Sequence, residues 1–166
     1  MQPINFTGPP SYFNRDGSPS LACRWAGYTA SALSGKYSAV EIGPATLNPR
    51  PFYVVGFQSD TEGQSIYMYR TTGTKLTTVE GTLAANSSTE FGAVSTNSII
   101  KYGDIGASGP AETDSDVTEN AGGSTPLYKR FSPPLYIPAG SYFTLVEGSA
   151  TSAFFVNFYF FEIVQP

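Results

Sequence analysis

The sequence contains no histidine. That absence removes the commonest general base, the commonest metal ligand and the usual partner of a nucleophilic serine or cysteine. Cys23 is the single cysteine among 166 residues, so neither an intrachain disulfide nor a cysteine-based zinc site can form. It reads as a small buried hydrophobe. Charge is scarce as well. Asp, Glu, Lys and Arg make up 13% of the chain, against roughly 25% in ordinary soluble domains, and 19 Ser and 17 Thr take their place. A surface so thin in charge suits a protein whose surface is largely covered by neighbours. The net charge is −4 and no cluster of Lys or Arg occurs, so the electrostatic footprint of a nucleic-acid binder is missing. No apolar run approaches the ~20 residues of a membrane-spanning helix. The opening residues, Met1 to Phe6, lack the basic segment and apolar stretch of a secretory signal. The expectation is therefore no nucleic acid, no membrane and no secretion, with the Asn-x-Ser/Thr matches at Asn5 and Asn86 read as incidental.

What is present is β-patterned. A length of 166 residues suits one domain, large enough to bury roughly 70% of its unfolded surface without staples. From residue 21 onward, short apolar runs alternate with turn residues. The expected strands are 21–30, 36–42, 52–59, 65–71, 76–83, 93–102, 127–131, 142–147 and 153–164. Their starts are spaced as in sandwiches and barrels, and Asp16-Gly17, Glu62-Gly63, Thr72-Gly73 and Pro138-Ala139-Gly140 supply turn chemistry. No window keeps a helical period over three turns, and residues 83–94 are the one place that admits a short helix. The reading is an all-β, two-sheet antiparallel sandwich, most simply a jelly roll, over residues 21–166.

Residues 1–20 form a separate unit in this reading. Pro3, Pro9, Pro10 and Pro19 disfavour regular pairing, while Ile4, Phe6, Tyr12 and Phe13 ask for burial. Such a segment is an extended arm that lies on a surface, its own domain's or a neighbour's.

Two strands carry more than a core pattern. In residues 154–164, Phe154, Val156, Phe158 and Phe160 share one face, and Phe155, Tyr159, Phe161 and Ile163 the other. An antiparallel sandwich strand normally keeps one wet face; here neither face is polar. Phe52 to Phe57 has the same character. Either a loop or the arm covers the second face, or another copy of the chain does. The low surface charge points to Phe155, Tyr159, Phe161 and Ile163 as a self-association interface.

The chemistry-bearing candidates are sparse. The 103–126 stretch holds Asp104, Glu112, Asp114, Asp116 and Glu119 with no Lys or Arg. It reads as a flexible acidic loop, within which Asp114, Asp116 and Glu119 are the candidate ligands for Ca²⁺, lacking the glycine and the distal glutamate of an EF-hand. Glu41, Glu80, Glu147 and Glu162 sit on expected strands, where a glycosidase would need two carboxylates about 5–10 Å apart across a groove. Trp25 is the preferred sugar-stacking residue but lies in a β-patterned run. No catalytic residue, metal or cofactor is expected.

The segment Pro133-Pro134-Leu135-Tyr136-Ile137-Pro138-Ala139-Gly140-Ser141-Tyr142-Phe143-Thr144-Leu145, followed by the aromatic final strand, resembles the end of small viral jelly-roll proteins. It resembles in particular the cement or decoration proteins of tailed bacteriophage capsids, over about a quarter of the chain, and phage tail-fibre tips and tumour-necrosis-factor-like trimers end in comparable strands. The resemblance implies a homodimer or homotrimer seated on the outside of a virion, bound to a major capsid protein, with Ile4, Phe6, Tyr12 and Phe13 on an arm that clamps a neighbour. The alternative it leaves open is a receptor- or carbohydrate-binding sandwich of the tail-fibre or head-fibre type.

Overall fold

A computed structural model describes residues 21–29, 35–44, 49–59, 65–84, 98–111, 117–120, 127–150 and 154–162. For 21–29, 83–84, 117–120, 128, 154, 157, 159, 161 and 162 it describes the backbone alone. Among the described residues there are ten strands and no helix: β1 (Leu21–Thr29), β2 (Tyr37–Gly43), β3 (Phe52–Ser59), β4 (Ser65–Thr71), β5 (Thr78–Ala84), β6 (Ile99–Asp104), β7 (Val117–Asn120), β8 (Leu127–Ile137), β9 (Tyr142–Ala150) and β10 (Phe154–Glu162). They form two antiparallel sheets, a four-stranded one in the order β1-β10-β3-β8 and a six-stranded one in the order β5-β6-β2-β9-β4-β7. The sheets pack face to face as a sandwich, as the alternation predicts.

The pairing is nested. β1 pairs with β10, β2 with β9, β3 with β8 and β4 with β7, each antiparallel. Strands from the first half of the chain thus meet their counterparts in reverse order from the second half. The β5–β6 hairpin interrupts the nest at its midpoint and adds outside β2.

The interior is a phenylalanine-rich core. Phe52, Phe57, Phe131, Phe158 and Phe160 from the four-stranded sheet meet Val40, Ile42, Ile66, Met68, Ile100, Phe143 and Leu145 from the other. Phe143 stands edge-on to two rings of the opposite sheet, 6.3 Å from Phe131 and 6.1 Å from Phe158. T-shaped contacts of this kind add about 0.5–1.5 kcal/mol each beyond the area they bury.

The two-sided run in β3 has a local explanation. Phe52 and Val54 are buried, then Phe57 and Ser59. The inward set changes from even to odd positions because Val55 is an extra residue, skipped in the register with both β10 and β8. On β8 the same bulge is larger, since Leu135 pairs with Val54 and Arg130 with Gly56. Residues 131–134, including Pro133 and Pro134, fill it, with a cis Ser132–Pro133 bond. Proline cannot donate to a ladder, and a bulge on an edge strand is where its missing N–H is tolerated.

Three expectations change. The strand expected to stop at residue 131 runs through the prolines to Ile137, because β8 needs partners on one side only. The acidic 103–126 stretch, expected to be loop throughout, contributes the end of β6 and the whole of β7, which pairs with β4 from Ser65↔Asn120 to Met68↔Val117. Val117 and Thr118 carry enough β character to extend a sheet whose neighbouring strand already has an open side. Of the 83–94 stretch, Leu83 and Ala84 belong to β5; the rest lies outside the described residues. The Pro138-Ala139-Gly140 turn forms as its residues suggest, with Ser141 N–H donating to the Pro138 carbonyl at 3.0 Å and Gly140 at φ 82°.

Gly56 is required by close approach. A Cβ there would stand 2.2 Å from the Lys129 carbonyl oxygen, whereas one at Gly73 would meet nothing within 4 Å. Gly56→Ala is expected to cost about 2–3 kcal/mol in urea unfolding, the range of overpacking in a tight interior. Gly73→Ala should change stability by less than about 0.5 kcal/mol.

Candidate interaction surface

The outward faces of the two sheets are covered very differently. On the six-stranded sheet, Ala39, Glu41, Thr144 and Val146 are 0% exposed and Tyr69 2%. They are shielded by the chain itself. The β4–β5 connection drops Leu76 onto Ala39, Tyr69 and Val146, with Tyr37, Tyr67 and Ile105 around them. Lys75 Nζ lies 4.4 Å from the centre of the Tyr69 ring.

A buried carboxylate holds that covering in place. Glu41 Oε1 accepts from the Thr74 hydroxyl at 2.7 Å. Its Oε2 accepts from the Lys75 backbone N–H and the Thr144 hydroxyl, each at 2.8 Å. The bond to Thr144 is buried, and those to Thr74 and Lys75 are part-buried; a hydrogen bond shielded from water is electrostatically stronger than one in solvent. Asp104 plays the same part for the β6 exit. Its Oδ1 accepts from Gly106 N–H at 2.8 Å, its Oδ2 pairs with Lys36 Nζ at 3.3 Å, and its backbone carbonyl accepts from Thr77 N–H at 2.8 Å. Tyr69 Oη then donates to the Ala111 carbonyl at 3.3 Å.

The four-stranded sheet presents a barer outer face. Tyr53, Val55, Gln58 and Phe155 are half-buried, and Tyr136 is 46% exposed. Tyr53 and Tyr136 stack at 5.3 Å between ring centres across β3 and β8. The register sets Phe161 opposite Tyr53 and Tyr159 opposite Gly56, so both positions fall in the same outward rows. The inward rows hold Val156, Phe158 and Phe160, all buried. Trp25 and Cys23 lie in register with Phe158 and Phe160, in the core rows.

Of the expected interface residues, Phe155 sits half-buried on β10, Tyr159 and Phe161 are placed by register, and Ile163 lies outside the described residues. Sequence reasoning missed Tyr53, Val55 and Tyr136 as members of this face; the two-sided pattern of residues 52–57 was the clue for the first two. The arm residues Ile4, Phe6, Tyr12 and Phe13 lie outside the described residues, as do Asp114 and Asp116. Glu119 is placed on β7 opposite Ile66. Among the described residues no group of three or more His, Cys, Asp or Glu is arranged to hold a metal. Of the strand carboxylates, Glu41 and Glu147 are 0% and 1% exposed. No protein-family model, curated protein or solved structure matches this chain.

Removing the Glu41 carboxylate would leave the buried Thr144 hydroxyl without this acceptor and release the part-buried Thr74 hydroxyl and Lys75 N–H of the β4–β5 connection. Glu41→Ala is expected to lower unfolding free energy by about 1–3 kcal/mol, the cost of leaving a buried donor such as the Thr144 hydroxyl unsatisfied. Chemical denaturation followed by the fluorescence of Trp25 measures it.

Proposed function

We propose that this chain is a non-enzymatic structural protein of a virus particle, a jelly-roll cement or decoration protein that binds the outer capsid shell and associates with its own copies. The observation that carries the reading is the unequal covering of the two outward faces. Among the described residues the chain's own connections cover the middle of one sheet, leaving Val79 on its β5 edge 48% exposed, while the other sheet keeps aromatic side chains part-exposed across β3, β8 and β10 in a protein with few charged residues. Exposed aromatic patches rimmed by polar residues mark association sites, with tyrosine enriched at their centres. The nested pairing supports the jelly-roll assignment, since that fold is a long hairpin wound so that first and last strands pair and the middle strands follow inward. Fold alone assigns no activity, so the face rather than the topology is the argument.

On this reading the Tyr53–Tyr136 face, with the Phe155, Tyr159, Phe161 and Ile163 positions, is buried against a second copy in a dimer or trimer. The arm bearing Ile4, Phe6, Tyr12 and Phe13 reaches an adjacent subunit or the major capsid protein. Assembly is then the protein's working state, and the sparse surface charge is what makes stacking on neighbours inexpensive in desolvation.

Sedimentation equilibrium at micromolar concentration is expected to return a dimer or trimer mass. The double variant Tyr53→Asp/Tyr136→Asp should return a monomer while keeping its melting temperature within about 3 °C, because both sites are on the outer face. The same variant should fail to co-sediment with phage shells stripped of decoration. A wild-type chain that stays monomeric and ignores such shells contradicts the reading.

A further inference from the structure

Among the tyrosines whose side chains are described, Tyr136 alone stands well into solvent. Tyr37, Tyr53, Tyr67, Tyr102 and Tyr142 are half-buried, and Tyr69 is buried. An exposed phenol is where an oxidant arriving from solvent meets the chain first. The described methionine, Met68, is buried in the core and shielded from such an oxidant.

Tyr136 has a second phenol beside it. It lies opposite Tyr53 in the β3–β8 register, with ring centres 5.3 Å apart and planes tilted by 54°. The backbone is anchored on both sides of the pair. Phe52 opposes Ile137 and Val54 opposes Leu135; the first three are buried, and Leu135 packs on the same core. Alternation then turns Tyr53 and Tyr136 outward together. The two phenols are thus held as surface neighbours, and groups so held react as though at a concentration far above that of separate molecules. Beyond Val54 the register breaks, and β8 is next in register at Arg130, opposite Gly56. The tyrosine pair stands directly beside that bulge.

We propose that Tyr53 and Tyr136 form an oxidative modification site, at which hydrogen peroxide used by a haem peroxidase couples them into a dityrosine within one chain. Each phenol gives up one electron and one proton. The phenoxyl radical left behind shares its unpaired electron with the ring carbons next to the oxygen-bearing one. A carbon–carbon bond forms between one such carbon of each ring, and the hydrogens on those carbons move to the oxygens as both rings regain aromaticity. The two electrons and two protons removed reduce one hydrogen peroxide to two waters. The new bond ties β3 to β8, the last strand in its sheet order, where the ladder between them is interrupted. It is a covalent staple that needs no cysteine pair, in a chain with the single thiol Cys23. Both tyrosines belong to one chain, so the inference stands apart from the self-association reading, which sedimentation tests separately.

The full chain, diluted until it is monomeric, is treated with hydrogen peroxide and a haem peroxidase. The product should still run as a monomer on a denaturing gel, weigh two hydrogen atoms less, and show dityrosine fluorescence. Digestion should then release one cross-linked pair of peptides, containing Tyr53 and Tyr136. Tyr53→Phe and Tyr136→Phe keep the ring and lose the phenol. Each is expected to lower dityrosine fluorescence by about tenfold or more, because the coupling depends on the two phenols being held together. Covalent dimers in place of the internal link, a link mapped to other tyrosines, or fluorescence that survives either substitution overturns the proposal. So does the absence of any dityrosine after oxidation.

Discussion

The two sheets are held in one arrangement by a ring that crosses between them. Phe143, on β9 in the six-stranded sheet, presents itself edge-on to Phe131 and Phe158 of the four-stranded sheet. Phe57 is 6.3 Å from the same Phe131, and Phe52 is 6.0 Å from Phe160. Edge-to-face rings have a preferred angle as well as a preferred distance, so the chain of contacts fixes sheet orientation as well as spacing. Everything else is arranged around keeping these rings inward. The Val55 bulge shifts β3 by one residue so that Phe57 as well as Phe52 faces the core. Gly56 then lets β8 come close enough to bring in Phe131.

That commitment of aromatic residues to the interior leaves the outward faces to be settled separately, and among the described residues the covering is seen over the middle of the six-stranded sheet. Glu41 gathers Thr74, the Lys75 backbone and Thr144, and thereby fastens a small second core of Leu76, Tyr69, Val146 and Ala39 over the six-stranded sheet. A buried carboxylate is a costly fastener unless all its neighbours donate, and here both oxygens have donors. On the four-stranded sheet Tyr53 and Tyr136 are stacked on each other, with Tyr136 46% exposed. The contrast, more than the topology, is what supports an assembling protein.

Most of the frame was legible in the sequence because β alternation is a strong signal where runs are long. Residues 52–59 and 65–71 end where turn residues demand it. The two faces of the final strand separate as its alternation predicts, with Val156, Phe158 and Phe160 buried. What escaped notice depended on long-range partners. β7 is only four residues and acquires its identity from β4, about fifty residues away in sequence. The continuation of β8 through Pro133 and Pro134 reads locally as a break, and only its edge position makes it a strand. Glu41 looks like any strand carboxylate until Thr74 and Lys75 fold over it. No local pattern joins positions 41, 74 and 144, so the second core was invisible before the sheets were assembled.

Oxidative footprinting of the tyrosines tests the central claim most directly, because both outward faces carry them. The protein is labelled once at a dilution where it is monomeric and again in the assembled state, and each tyrosine is followed separately. The account predicts that Tyr136 and Tyr53 lose labelling severalfold on assembly, while Tyr69, 2% exposed under the chain's own connections, labels equally slowly in both states. Unchanged labelling of Tyr136 and Tyr53, with protection appearing elsewhere, would contradict it.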